Sequence, residues 1–305
     1  MQPPQSDNRS RAILGLMRIE NLDDEEIRNL FRTAQDVGIK VFDHADIYGS
    51  HRHACEARFG AALRLSASDR EQIIIQTKTG IRDNYYDLSP EHIVRSVEGS
   101  LAALQTDYVD MLLLHRPDTL LEPEEVAAAF DDLYTAGKVR HFGVSNHTPG
   151  QVELLARTVR QPLLVDQIQF SVAHASLVAQ GLAANIEGLE QAAVRDGGLL
   201  DYARVSGMEL QAWSPFQHGF LAGPFLGDRE HYAELNDVLE ELADEHGVTP
   251  AAIAVSWITT HPARIGVILG TTKPQRLREA VAGAQLKLTR QEWYRLIAAA
   301  GYRIP

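Results

Sequence analysis

The sequence is poor in cysteine, in positive charge and in long apolar runs. Cys55 is the single cysteine among 305 residues, so the chain can form neither an internal disulfide nor a thiolate metal cluster. Lysine and arginine number 29 against 41 acidic residues, and the net charge of −12 disfavours a nucleic-acid or anionic-membrane surface. No stretch approaches the ~20 apolar residues of a membrane helix. A cytoplasmic protein acting on small molecules is therefore expected, with a monomer as the default because no large apolar stripe demands a partner.

The first residues carry no targeting signal, because no apolar segment follows a basic start. We expect a flexible tail over residues 1–10 and one folded domain over residues 11–305. A hydrophobic content of 45% is ordinary for a globular protein and supplies a sizeable core.

Eight short apolar runs recur along the chain and are typical of buried strands. They cover residues 13–17, 40–45, 72–78, 109–115, 139–145, 163–169, 208–214 and 265–270. Amphipathic stretches with helical period lie between most of them, as in residues 23–38, 89–106, 122–138 and 149–160. A strand and a helix repeated eight times predict an α/β fold, the (β/α)₈ TIM barrel, as a single domain.

The alternative architecture is a doubly wound sheet. In such a fold, a dinucleotide-binding site is normally marked by the motif G-x-G-x-x-G after the first strand. The first apolar run continues as GLMRIE and lacks that loop. Two connections are longer than the rest, residues 170–207 and the glycine-containing segment that follows Trp213. A long loop at the catalytic face of a barrel can fold over a ligand.

Four polar residues stand at or just after the ends of the predicted strands: Asp43, Tyr48, Lys78 and His115. The carboxyl ends of parallel barrel strands converge on one mouth, so these side chains can share one site. A cation such as Lys78 would lower the high pKa of a tyrosine that must give a proton, and Asp43 would keep that cation charged. His115 could orient a substrate oxygen by hydrogen bonding. The set suits protonation of a developing alkoxide.

Each of these residues also has a purely structural interpretation. A lone aspartate is often a helix cap, a lone tyrosine is often half-buried in a strand, and His115 could be a satisfied loop residue. Lys78 is harder to explain in this way, because burying an ammonium without a partner is costly.

The motifs FDHADIYG, QTKTG, LLLHRPD, GVSNHT, DQIQFS, AWSP and ILGTTKPQRLREAV occur in this order. Through them nearly the whole chain resembles the aldo-keto reductase superfamily, above all its bacterial oxidoreductase branch. The resemblance implies reduction of an aldehyde or ketone with NADPH on a (β/α)₈ barrel. It assigns Tyr48 as the general acid, with Asp43, Lys78 and His115 as its partners. His44 stands where serine or threonine is commoner.

The same resemblance implies the residues that bind the nicotinamide cofactor. Ser145, Asn146 and Gln167 would bind its carboxamide, and Trp213 would stack on its ring, although a strand tryptophan is otherwise more often core. The expected contacts to the pyrophosphate are Ser214, Pro215, Phe216, Gln217 and Gly219, and those to the adenosine end are Gly270, Thr272, Lys273, Arg276 and Glu279. Lys273 and Arg276 favour a 2′-phosphate and hence NADP(H), but Lys273 could equally belong to a solvated helix start.

Two other functions are compatible with parts of the sequence. Some relatives of this fold bind the nucleotide without turnover and regulate membrane channels. A metal-dependent barrel hydrolase is suggested by His44, His51, His53 and His115, since imidazole is a common metal ligand. His51 and His53 lie in one predicted loop, however, and Lys78 would place a cation beside the metal, so solvated histidines and no metal are expected.

Overall fold

The computed structural model describes residues 11–219 and 222–305. Eight strands of these residues form a closed barrel in which each strand lies beside the next one in the chain. The strands are β1 (Ala12–Gly15), β2 (Val41–Asp43), β3 (Ile74–Thr79), β4 (Val109–Leu114), β5 (Val139–Ser145), β6 (Leu163–Gln169), β7 (Glu209–Trp213) and β8 (Gly266–Leu269). Each coincides with one predicted apolar run, and the predicted (β/α)₈ barrel is confirmed. The predicted tail lies outside the described residues.

Twelve α-helices and one 3-10 turn (Glu190–Ala192) occur in the same residues. The helices are α1 (Asp24–Asp36), α2 (Ala54–Leu63), α3 (Ala67–Glu71), α4 (Pro90–Leu104), α5 (Pro123–Thr135), α6 (Pro149–Ala156), α7 (Ser176–Leu182), α8 (Leu199–Ser206), α9 (Ala233–His246), α10 (Pro250–Thr260), α11 (Pro274–Gln285) and α12 (Arg290–Ala299). The long connection over residues 170–207 contains α7, the 3-10 turn and α8.

Local sequence signals account for several helix ends. Asp23 caps α1 and exchanges hydrogen bonds with Glu26, since each side chain accepts from the other residue's backbone N–H. Thr289 and Glu292 form the same capping box at α12. Gly38 follows α1 with φ of +81°, a left-handed conformation that glycine adopts without strain.

The residue contacts group into two compact units, of which the first comprises residues 13–167 and 270–274. Its strands are parallel, with Asp43 opposite Gln76 and Lys78 opposite Leu113. Aromatic rings fill much of its interior, including Phe130 stacked on Phe142 at 4.0 Å between centroids. The register places the ends of β2, β3 and β4 side by side.

The second unit comprises described residues 11–12, 168–219, 222–269 and 275–305. Strands β7 and β8 pair in parallel with Gln211 opposite Gly266. Trp257 and Trp293 stack at 5.0 Å, and each indole N–H donates to the other residue's backbone oxygen. Both indoles are therefore buried with their polar atoms satisfied. Over the part of the chain that the structure describes, no helix has the length and apolar character needed to cross a membrane.

Candidate active site

Lys78 and Asp43 form a buried ion pair at the ends of β3 and β2. The Lys78 side chain has no exposed surface, and its Nζ lies 2.8 Å from each carboxylate oxygen of Asp43. Nζ also donates to the backbone oxygen of His44 at 2.7 Å. Burial acts to lower the pKa of Lys78, but Asp43 and Tyr48 outweigh burial and the net pKa is raised. Lys78 is therefore a fixed cation in the interior of the first unit.

Two glutamines complete the surroundings of Asp43. Gln76 donates from Nε2 to Asp43 Oδ1 at 2.6 Å, and Gln167 donates to the same oxygen at 2.9 Å. The sequence interpretation did not single out Gln76. Gln76 precedes Lys78 by two residues on one strand, and the strand period of two puts both side chains on the same face. That spacing is the signal from which its role could have been found.

Tyr48 lies in the connection between β2 and α2, and its hydroxyl contacts Lys78. Nζ of Lys78 donates to Tyr48 Oη at 3.1 Å and lies 5.0 Å from the centre of the Tyr48 ring. Burial raises the pKa of Tyr48, and this effect exceeds the lowering by Lys78. The net direction is opposite to the one predicted from the sequence, because the desolvation of the phenol could not be inferred from residue types alone.

His115 directly follows β4, and its ring meets that of Tyr48 edge to face, at 6.1 Å between centroids and 80° between planes. Burial lowers the pKa of His115 well below its usual value, and the charges of Lys78 and Arg116 add to the effect. Its Nδ1 is buried without a hydrogen-bond partner in the described residues. A neutral imidazole at this position can donate a hydrogen bond to an oxygen beside Tyr48.

Three of the predicted cofactor residues are joined by hydrogen bonds in the first unit. Ser145 ends β5 and donates from Oγ to the backbone oxygen of Gln167 at 2.7 Å. Asn146 donates from Nδ2 to Ser145 Oγ at 2.8 Å and to the backbone oxygen of His115 at 3.4 Å. Asn146 has φ of +62°, a left-handed conformation that asparagine tolerates better than most residues. The structure thus brings Ser145, Asn146 and Gln167 next to Asp43 and His115.

The predicted pyrophosphate residues follow β7 in the second unit. Trp213 is half-buried at the end of β7, and Ser214 has φ of +52°. A turn follows, in which Gln217 N–H donates to Ser214 O at 3.1 Å. Ser171 Oγ donates to the backbone oxygen of Gln217 at 2.7 Å and so fixes the segment. The turn contains the predicted residues Ser214, Pro215, Phe216 and Gln217, and the predicted Gly219 follows it.

The residues predicted for the adenosine end belong partly to each unit. In the first unit, Gly270 and Thr272 are half-buried and Lys273 is exposed. Arg18, which the sequence interpretation missed, donates to Gly270 O at 3.0 Å, and no local pattern marks it because its position depends on the loop after β1. In the second unit, Arg276 is exposed on α11, and the predicted Glu279 accepts a hydrogen bond from Gln275 at 2.8 Å.

The loop histidines differ in their surroundings. His51 is 74% exposed, as expected for a solvated side chain, whereas His53 is 21% exposed and its Nδ1 lies 2.6 Å from Glu56. The interpretation of both as solvated is therefore wrong for His53. Within residues 11–219 and 222–305, no three His, Cys, Asp or Glu side chains are grouped as metal ligands would be.

Comparison with known proteins identifies the family. The aldo/keto reductase family profile matches residues 11–300. Oxidoreductase YdhF of Escherichia coli (strain K12) is 35% identical over 314 residues, which cover 99% of this chain and 97% of YdhF. A 6-dehydroglucose reductase of Agrobacterium fabrum is 34% identical over 304 residues, which cover 95% of this chain and 94% of the reductase.

A solved structure agrees with the sequence comparisons. The thermostable aldo-keto reductase Tm1743 is 26% identical with a TM-score of 0.74, covering 95% of this chain and 94% of its own. The family profile, the relatives and the solved structure thus agree, and we conclude that this chain belongs to the aldo/keto reductase family of oxidoreductases, enzymes that reduce carbonyl compounds and generally use NAD(P)H.

Proposed function

We propose that this chain reduces an aldehyde or ketone to the alcohol with NADPH and that Tyr48 supplies the proton. The contact of Lys78 carries the proposal, since one ammonium lies 2.8 Å from both oxygens of Asp43 and 3.1 Å from Tyr48 Oη. A cation in contact with a phenol stabilises the tyrosinate that remains when the proton leaves. Burial alone would oppose this ionisation, so Lys78 is essential to it.

The cofactor, when bound, supplies the hydride that protein side chains cannot donate. As the carbonyl carbon gains hydride, its oxygen takes the proton of Tyr48, and the tyrosinate left behind is paired with Lys78. His115 is neutral and donates a hydrogen bond to the same oxygen, which stabilises the charge that develops there. Asp43 holds the ammonium of Lys78 in place, and Gln76 and Gln167 in turn donate to its Oδ1.

The polar groups after β5 fit a primary carboxamide, which both donates and accepts hydrogen bonds. We assign Ser145, Asn146 and Gln167 to this group, and their mutual hydrogen bonds hold them in one orientation. For the other cofactor residues the proposal rests on the family resemblance. They are Trp213, Ser214, Pro215, Phe216, Gln217, Gly219, Gly270, Thr272, Lys273, Arg276 and Glu279. The exposed cations Lys273 and Arg276 favour a 2′-phosphate and hence NADPH.

The proposal extends to the setting in which the enzyme works. A net charge of −12 supports a small-molecule substrate and not a nucleic acid. The one cysteine, Cys55, is free and buried, which fits a reducing cytoplasmic environment. We propose a cytoplasmic monomer.

Replacement of Tyr48 tests the proposal. Wild-type protein is assayed with NADPH and a panel of aldehydes and ketones, and Tyr48→Phe should lower kcat by about 10²–10⁴-fold because it removes the proton donor. Its Kd for NADPH, followed by tryptophan fluorescence, should not change, and NADPH should bind more tightly than NADH. Tyr108→Phe is the matched control, since that hydroxyl has no partner in the described residues and lies outside the site; it should leave kcat unchanged.

The outcomes separate the alternatives. If Tyr48→Phe retains wild-type turnover, the assignment of the acid is wrong. If wild-type protein binds NADPH but reduces no carbonyl compound, a regulatory nucleotide-binding role replaces the enzyme. Equal affinity for NADPH and NADH would contradict the 2′-phosphate site.

A further inference from the structure

A second buried carboxylate, Glu56, lies behind the site and joins the two segments that carry its central residues. Glu56 is in the first turn of α2 and is fully buried. Its Oε1 accepts a hydrogen bond from Thr77 Oγ at 2.6 Å, and its Oε2 lies 2.6 Å from His53 Nδ1. Thr77 directly precedes Lys78 on β3, whereas His53 ends the connection that carries Tyr48. We name residues 44–53 the Tyr48 loop.

Glu56 is ionised in spite of its burial. Burial acts to raise the pKa of Glu56, but the hydrogen bond with His53, the charge of His44 and the hydrogen bond with Thr77 outweigh it, so the pKa is lowered. Asp46 is the other acidic group near Glu56, and its own pKa is raised, by burial first. A buried carboxylate is costly unless its partners are well placed. The partners of Glu56 must therefore hold a defined geometry.

The ring of His53, which precedes α2, packs closely against the neighbouring helix α4. His53 has φ of +62°, which is uncommon for a residue other than glycine and is sustained only by surrounding contacts. Gly99 makes room for its ring, since a Cβ there would lie 2.4 Å from His53 Nε2. Ser100 Oγ lies 3.4 Å from His53 Nδ1. The end of the Tyr48 loop is thus fixed by α2 and α4 together.

Backbone hydrogen bonds transmit this fixation to Tyr48. His53 N–H donates to Asp46 O at 2.6 Å, and Asp46 N–H donates to Lys78 O at 3.1 Å. Cys55 N–H donates to Tyr48 O at 3.1 Å. Backbone hydrogen bonds therefore join Asp46, near the start of the Tyr48 loop, to His53 at its end, and join the loop to β3 at Lys78. A shift of His53 would move Tyr48 relative to Lys78.

We propose that Glu56 is a positioning residue that sets the contact between Tyr48 and Lys78 by tying the Tyr48 loop to β3 through His53 and Thr77. This inference rests on the proposed function, in which that contact supports proton transfer. Glu56 itself contacts neither Tyr48 nor the ammonium by hydrogen bond, so it acts through the geometry of the loop. Misplacement of a catalytic group by about 1 Å can cost about 10²-fold in rate.

The test compares Glu56→Ala, Glu56→Gln and Thr77→Val with wild-type protein in steady-state reduction over a range of pH. Glu56→Ala should lower kcat by about 10- to 100-fold, with KM and the Kd for NADPH nearly unchanged. In the pH–rate profile of Glu56→Ala, the alkaline limb, where Tyr48 loses its proton, should move to higher pH. The reason is that Lys78 stabilises the tyrosinate less at a longer distance. Glu56→Gln should lose less kcat, since its amide oxygen can still accept from Thr77. Thr77→Val should show the same move of the alkaline limb to higher pH.

Asp110→Asn is the matched control, because Asp110 is also a buried carboxylate but lies near the start of β4. It should lower Tm without moving the alkaline limb. If the Glu56 variants lower only Tm and keep the wild-type limb, the inference is overturned while the proposed function stands. If Glu56→Ala does not fold, Glu56→Gln and Thr77→Val decide by the same criterion. Wild-type protein without turnover would overturn the proposed function instead.

Discussion

The first unit holds two ion clusters on neighbouring strands, the buried pair of Lys78 with Asp43 and the cluster around Asp110, in which Arg70 is buried and Arg140 is half-exposed. The two clusters are built differently. Asp110 accepts from Arg70 at 2.7 Å and from Arg140 at 3.1 Å, so one carboxylate meets two cations. Both guanidinium groups also lie over the Tyr108 ring, at 4.0 and 3.7 Å from its centre. Every strong charge in this cluster has a protein partner of opposite charge.

The Lys78 cluster has one cation and one carboxylate, and the remaining contact of the cation is with a neutral phenol. His115 adds a neutral imidazole. Charge can therefore change in this cluster, because Tyr48 can become an anion beside a cation that is already in place. In the Asp110 cluster no comparable acid contacts a cation by hydrogen bond among the described residues. Buried charge alone therefore does not distinguish the two clusters, and the proposed role of the Lys78 cluster depends on a cation held against a neutral acid.

Replacing one cation in each cluster should give the largest contrast. Lys78→Met should lower kcat by about 10²–10⁴-fold, because Tyr48, the proposed proton donor, loses its charge partner. Arg70→Met should cost about 3–5 kcal/mol of unfolding free energy, the usual penalty for removing one member of a buried pair, yet leave kcat per folded molecule unchanged. Steady-state kinetics and calorimetry on both variants check this. A large loss of kcat in folded Arg70→Met would remove the distinction between the clusters.

His115→Gln tests whether the neutral imidazole of the Lys78 cluster contributes to the reaction. Because a hydrogen bond to the developing oxygen charge is lost, kcat/KM should fall by about 10²-fold. Burial, Lys78 and Arg116 hold the pKa of His115 well below 6.5, so the imidazole is neutral throughout pH 6–8 and protonates only in more acidic solution. The wild-type profile should therefore show no limb near pH 6.5. A limb near pH 6.5 in the wild-type profile that disappears in His115→Gln would show that the imidazolium forms in the pH range where the enzyme is active.

The strands and the four central residues could be predicted because both depend on local pattern. Apolar runs bounded by helical stretches define β1 to β8, and the convergence of parallel strand ends brings Asp43, Lys78 and His115 together whatever the loops do. Tyr48 could be placed because only a few residues separate it from Asp43. These inferences needed no knowledge of how the helices pack.

The features that the sequence did not predict depend on packing between distant segments. The net pKa direction of Tyr48 follows from how far the surrounding segments shield its half-buried phenol from solvent. The seating of His53 follows from the approach of α4, where Gly99 leaves space for the ring. Glu56 reads in the sequence as an ordinary acidic residue of a first helical turn, and only the contact with Thr77 reveals its link to β3.

A further buried carboxylate, Asp166, extends the comparison, because no cation pairs with it in the described residues. It lies on β6 opposite Val144 and has no exposed surface. Burial raises the pKa of Asp166 to about 7, and the nearby backbone N–H groups of His147 and Asn146 offset this only in part. Glu56, which accepts from the side chains of His53 and Thr77, thus has a lowered pKa, whereas Asp166, which only backbone N–H groups approach, has a raised one.

Asp166→Asn should give the smallest effect, and its sign depends on pH. The unfolded carboxyl ionises near pH 4, whereas the folded one keeps its proton to about pH 7, so wild-type stability is lost as pH rises across that window. The asparagine variant does not titrate and should gain relative to wild type from pH 5 to pH 8. The difference in unfolding free energy, followed by calorimetry, should grow by about 2–3 kcal/mol, at ~1.4 kcal/mol for each pH unit below the folded pKa. A difference in unfolding free energy that stays constant would mean that Asp166 is already ionised at pH 5, so that burial does not keep its proton in place.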